Sequence, residues 1–218
     1  MNFAEIDAAA QAEGLALTGW FHPRAEDIAP AGAGTMLLLG YGGPSLWRSF
    51  SISPEMADGQ AHALDRWSKR VIGALAARFG GAAFFPFGGP PHQPFIRWTY
   101  AGEPIHPSKL GMSIHPERGL WSGWRGAIAL PDRLDLPERR RGESPCDPCP
   151  APCLDACPVG AFSDSGYDAA ACRAHLNSPE GAPCRKAGCL ARRACPVGQD
   201  YAQSAEQAAF HLEAFRVA

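Results

Sequence analysis

All eight cysteines of this 218-residue chain fall between Cys146 and Cys195, and none precedes them. The densest stretch, CDPCPAPCLDACPVGAF from Cys146 to Phe162, sets four thiols among four prolines. Proline removes a backbone donor and fixes φ, so this run can form neither a long helix nor a central strand. Something other than a backbone ladder must hold it, and the thiols are the groups available. The same distribution marks a boundary. PDRLDLPERRRGESP, Pro131 to Pro145, is charged, carries prolines and has no apolar periodicity, as a linker would. Two domains are expected: an α/β domain over 1–140, and a cysteine-bearing domain with a C-terminal helix over 141–218.

A hydrophobic content of 46% is enough for a buried core. Twenty Lys and Arg against 22 Asp and Glu leave a formal charge of -2, so no basic excess points to nucleic acid or to an anionic membrane. The start, MNFAEIDAAAQAEG, lacks the basic and then apolar order of a secretion signal, and a cytoplasmic location is expected. The strongest apolar run, TMLLLG at Thr35 to Gly40, is strand length and far short of the roughly 20 residues that cross a bilayer.

Before residue 140 the pattern mixes helix and strand. Phe3 to Glu13 reads as a helix, Ala16 to Phe21 and Thr35 to Gly40 as short buried strands, and Ser53-Pro54-Glu55 as a helix start. In AHALDRWSKRVIGALAARFGG, Leu64, Trp67, Val71, Leu75 and Phe79 recur at three- and four-residue spacing, with Gly80-Gly81 as the stop. AAFFPF and GAIALP suggest further strands. His106, Lys109, His115 and Arg125 lie where they could face a cofactor, but His beside Pro more commonly bonds within its own loop. No dinucleotide fingerprint, P-loop or nucleophile elbow occurs.

Three chemistries compete for the thiols. Disulfides need an oxidising compartment. Structural zinc is usually held by paired C-x2-C knuckles, and Cys146 with Cys149 is the one such pair here. Iron-sulfur clusters fit more closely, because the bacterial ferredoxin run is C-x2-C-x2-C-x3-C-P. Cys146, Cys149, Cys153 and Cys157-Pro158 match it with one extra residue after Cys149, and Cys172, Cys184, Cys189 and Cys195-Pro196 follow as a looser second set. CPVG stands at both Cys157 and Cys195. In the two-cluster ferredoxin pattern the Cys before Pro binds the other cluster. One 4Fe-4S cluster would then take Cys146, Cys149, Cys153 and Cys195, and the other Cys172, Cys184, Cys189 and Cys157. Arg173, Arg185, Lys186, Arg192 and Arg193 lie among the second set, either offsetting cluster charge or forming solvated helix faces.

HPSKLGMSIHPERGLWSGWRGAIALP, followed by CDPCPAPCLDACPVGAF, YDAAACRAHL and the second CPVG, resembles epoxyqueuosine reductase and, in general plan, the reductive dehalogenases. The similarity runs from about His106 to Gln199. It implies a nitroreductase-like α/β domain joined to a ferredoxin-like two-cluster domain, with electrons passing through two 4Fe-4S clusters to a corrinoid. LGMSIHPERG stands where those enzymes carry a Gly-Lys-Asn stretch, and Asp65 lies near the place of their acidic residue.

The expectation is an α+β iron-sulfur protein that moves electrons one at a time between unnamed redox partners. The alternatives are a corrinoid- or flavin-dependent reductase, with cobalamin or flavin in the first domain, and a zinc-stabilised interaction module. In the tail, Ala205, Ala208, Leu212 and Phe215 share a helical face that would fold back on the first domain, with His211 a packing residue.

Overall fold

The computed structural model describes residues 1–217 and divides into two compact units, Met1–Pro104 with Gly123–Arg141, and Ile105–Ser122 with Gly142 onward. The protein is mixed α and β with an antiparallel main sheet.

In the first unit, helix α1 (Phe3–Ala12) starts on a capping box between Asn2 and Glu5 and leads into strand β1 (Ala16–Phe21). Strand β2 (Thr35–Gly40) is buried at all six positions, as an uninterrupted apolar run flanked by glycine predicts. Two short helices follow, α2 (Ser45–Ser51) and α3 (Pro54–Ala57), the second capped by the Ser53 side chain. Helix α4 (Ala63–Arg78) then buries Leu64, Trp67, Val71 and Leu75, and stops where Gly80 takes a φ of +66°. Phe79 is only half-buried, because the helix has already ended there.

After β3 (Ala82–Phe84) and helix α5 (Phe95–Gly102), the chain forms the small hairpin β4 (His106–Pro107) and β5 (Ser113–Ile114) and returns as β6 (Trp124–Leu130). The main sheet has the order β1-β2-β6-β3. One of its faces sets Met36, Leu38, Ala127 and Ala129 against Phe95 and Trp98 of α5. On the other, a Cβ on Gly126 would lie 2.7 Å from the Ile72 side chain, so glycine there lets α4 approach.

Pro131 to Arg141 has no helix or strand, yet it is not a loose linker. Thr35 Oγ1 donates to Asp132 O (2.8 Å) and accepts from Leu134 N (2.9 Å), and Trp20 Nε1 donates to Pro137 O (2.9 Å). The Arg139 guanidinium lies 3.4 Å over the Trp20 ring and donates to the carbonyls of Gly102 and Thr18. The segment is a strap sewn to the first unit through backbone groups, which hydrophobic periodicity does not register.

The second unit has little regular structure. Its helices are short: α6 (Pro152–Asp155), α7 (Ala169–Asn177), α8 (Ala182–Ala187), α9 (Leu190–Arg193) and α10 (Ala205–Arg216), with the hairpin β7 (Phe162–Ser163) and β8 (Gly166–Tyr167). Ile105–Ser122 belongs here rather than with the residues before it. A Cβ on Gly119 would lie 2.0 Å from the Val197 carbonyl oxygen, so the two backbones touch, and Arg192 Nε donates to Leu120 O (2.9 Å). Helix α10 packs on α8 and α7 of its own unit, where its expected partner was the first domain. Its small Ala208 meets Gly188, where an added Cβ would come within 2.7 Å of the alanine methyl. Among the described residues no helix is long and apolar enough to cross a membrane.

Candidate functional site

The thiols of the second unit are positioned by turns rather than by long elements. Cys149 N donates to Cys146 O (3.3 Å), and Cys149 Sγ in turn accepts from Ala151 N (3.4 Å). Ala151 adopts a left-handed φ of 61°, which starts α6 at Pro152 and turns Cys153 inward. Each CPVG sequence closes a tight turn: Gly160 N donates to Cys157 O (3.1 Å), and Gly160 and Gly198 both have positive φ, 56° and 73°. The sequence echo is therefore also a conformational one. Cys172 rides on α7, started by Asp168 accepting from Ala171 N (2.8 Å); Cys184 rides on α8; Cys189 caps α9 after Gly188.

All eight cysteines are free thiols. Four of them, Cys146, Cys149, Cys153 and Cys195, line one cavity of about 20 Å3, together with Ser108, Lys109, Leu110, Ile114 and Leu120. The other four, Cys157, Cys172, Cys184 and Cys189, line a second cavity of about 30 Å3, closed by Phe162, His175, Leu176 and Leu212. The structure thus gathers the thiols into the two sets into which the Cys-Pro crossing divides them. Each set takes three thiols from one stretch of chain and the fourth from the other. Among the described residues, no three His, Cys, Asp or Glu side chains converge on the position of a single metal ion.

Burial pushes the thiols of Cys153, Cys184, Cys189 and Cys195 above the usual cysteine range, and neighbouring cysteines within each set add to the rise. Backbone N–H groups work the other way: those of Arg192 and Ala191 face Cys189, that of Leu190 faces Cys184, and that of Val197 faces Cys195. Without a bound cation these thiols stay protonated at neutral pH. A metal group entering either cavity must displace the protons, after which the same N–H groups stabilise the thiolates.

The arginines among the second set are half-buried and bonded to backbone carbonyls. Arg173 Nε donates to Phe215 O (3.3 Å), Arg185 to the carbonyls of Leu176 and Ser178 (2.6 and 2.7 Å), and Arg193 to those of Ala187 and Gln203. They tie off the carbonyl ends of short helices. Arg192 and Arg193 also stack over Trp121, at 4.5 and 5.7 Å. Lys186 is exposed.

Of the residues singled out before Cys146, Lys109 lines the first thiol cavity. His115 Nδ1 accepts from the N–H groups of Glu117 and Arg118 (3.1 Å each), the local bonding expected of a loop histidine. His106 is half-buried, with Nε2 lacking a partner. Arg125 belongs to the first unit, where it pairs with Asp65, donates to Ser68 Oγ (3.0 Å) and lies 5.0 Å over Phe87. Asp65 is thereby engaged as an ion-pair partner. His211 packs edge-on to Phe210.

A groove of the first unit, about 480 Å3, is lined by Trp20, His22, Arg24, Tyr100, Arg139 and Arg141 among others. Arg139 and Arg141 donate to backbone carbonyls, and Arg24 pairs with Glu26 and Asp27. These cations hold the strap and the loop.

Two residues beside the second cavity, Tyr167 and His175, escape a reading that follows cysteines alone. His175 lies one helical turn beyond Cys172, a spacing that places both on one face of α7. Set against protein-family profiles, curated proteins and solved structures, the chain matches none of them.

Proposed function

We propose that this chain is an electron-transfer protein whose second unit holds two 4Fe-4S clusters, one in each thiol-lined cavity. The observation that carries the reading is the pair of cavities itself: each is ringed by four cysteines, three from one stretch of chain and the fourth from the other. Structural zinc is usually held by paired C-x2-C knuckles, and Cys146 with Cys149 is the one such pair in the sequence. The donor set is also right for iron and sulfide, being all thiolate, drawn from turns, and faced by backbone N–H groups. Such clusters supply reversible one-electron reduction when bound. The chain's own contribution is to hold the sulfurs, to exclude water with Leu110, Ile114, Leu120, Leu176 and Leu212, and to present N–H groups that offset negative charge.

The resemblance between His106 and Gln199 supports the same reading, with the second unit as a ferredoxin-like body and the first as a reduced nitroreductase-like one. Anaerobic isolation with iron and sulfide quantitation tests it. About eight of each per chain, with broad absorption at roughly 400 nm, is expected. A colourless protein with stoichiometric zinc overturns it. Reconstitution of the same preparation with cobalamin and with flavin, followed by gel filtration, addresses the reductase alternative: comigration of either would make the first unit a cofactor domain fed by the clusters.

A further inference from the structure

We infer that His175 and Tyr167 raise the reduction potential of the centre in the second cavity above what its four thiolates alone would set. This rests on the cluster reading above.

His175 projects from α7 into the lining of the second cavity, and its Nε2 lies 3.8 Å from Cys184 Sγ. A cluster-bound thiolate can only accept, so at that distance Nε2 serves as the donor. Tyr167, at the end of β8, bears on the same centre from a different ligand. Its hydroxyl hydrogen-bonds the Cys172 side chain. The ring is held for this role, stacked on Phe162 with centroids 5.0 Å apart and planes 17° from parallel. Two of the four sulfurs in the second set thus face side-chain donors, in addition to the backbone N–H of Ala161 at Cys157 (3.3 Å).

The first cavity is built differently. Its sulfurs are faced by backbone N–H groups, those of Ala151 and Val197. Ser108, the hydroxyl in its lining, accepts from Leu110 N (3.3 Å).

The step concerned is the addition of one electron, from an external one-electron donor, to a centre whose four Fe–S(Cys) bonds all persist. No bond forms or breaks and no proton moves. The reduced centre carries one more negative charge, spread over its sulfurs, and a donor aimed at those sulfurs stabilises the reduced state more than the oxidised one. Removing a donor should therefore make reduction harder at that centre alone.

The test is an anaerobic redox titration followed by electron paramagnetic resonance, on the full chain with both centres loaded. The two signals are assigned beforehand by comparison with Cys146→Ala and Cys184→Ala. In His175→Phe the second centre's potential should move to a more negative value while the first centre stays put. His175→Gln, which keeps an N–H donor, should recover most of that shift. Tyr167→Phe should give a smaller shift of the same sign, because this residue is 45% exposed and water can replace its hydroxyl. Iron and sulfide per chain, measured on each variant, show whether both centres remain; if His175→Phe loses iron, Tyr167→Phe decides, since it removes only a hydroxyl. Two loaded centres with unmoved potentials, or a shift in the first centre instead, overturn the inference and leave the cluster reading intact. A protein without iron and sulfide overturns both.

Discussion

In the first unit the deepest positions belong to Leu37, Leu38, Trp98 and Ile128, packed around a four-stranded sheet; in the second, Cys153, Cys184 and Cys195 occupy interior positions, between helices of four to nine residues. The first unit buries carbon against carbon, and its ladder satisfies the backbone. Thiols are small, and a cavity ringed by them gains little from dispersion. On the proposed cluster reading, the first unit is held by apolar burial and the second by ligand bonds added to a small apolar cluster around Leu110, Ile114 and Leu120.

The largest effect should come from removing the metal. Chelation of iron under anaerobic reducing conditions is expected to release the second unit from its fold while the sheet of the first persists. Hydrogen exchange read by mass spectrometry checks this: amides of 105–122 and 142–217 should lose protection and those of β2 and β6 should keep it. Uniform survival of protection would show that the second unit stands on its own packing, and the contrast would fail.

Next comes the loss of one centre. Cys195→Ala should perturb the same paramagnetic signal as Cys146→Ala and lower iron to about half, each centre holding four irons. If it instead perturbs the signal lost in Cys184→Ala, the thiol sets are drawn wrongly.

The counterpart in the first unit is Trp98→Ala. This ring is fully buried between Phe84 and Phe95, and its Nε1 donates to Asp27 O (3.0 Å). A loss of about 3–5 kcal/mol is expected from the emptied volume. Urea unfolding should report it, with iron content unchanged; a fall in iron would show that the units are not energetically separate.

The smallest effect is electrostatic. Arg70 hydrogen-bonds the Glu55 carboxylate (2.5 Å) and lowers its pKa from 4.5 to about 2. A depressed carboxylate adds stability in full above the unfolded value and loses it as pH falls from 4.5 towards 2. Because Arg70 is half-exposed, Glu55→Gln should cost about 1 kcal/mol near neutrality and nothing near pH 2. A pH-independent difference between the two proteins would assign the effect to packing instead.

Much of the first unit was legible in the chain because its elements obey simple periods. β1 and β2 span the residues that Ala16 to Phe21 and Thr35 to Gly40 predict, and the α4 stripe from Leu64 to Leu75 is buried as its spacing requires. The strap was not legible. It is held by side chains reaching backbone carbonyls, and a carbonyl leaves no mark on a sequence. The destination of α10 was hidden for a related reason, since an Ala208-to-Gly188 contact needs only smallness on both sides. The grouping of the thiols was readable from the two Cys-Pro steps. Tyr167 and His175 were not, because their role depends on which sulfur each meets in space.

The crossing of the thiol sets also orders events in time. A chain made from its N-terminus presents Cys146, Cys149 and Cys153 well before Cys195, the thiol that completes their set, has been synthesised. Cys157 waits in the same way for Cys184 and Cys189. During that interval the nascent polypeptide displays incomplete sets, a trio in the first and the pair Cys157 and Cys172 in the second, open to stray metals and to oxidation. On the proposed cluster reading, the speed with which residues 184 to 195 close over the earlier thiols would set how often the wrong metal is trapped.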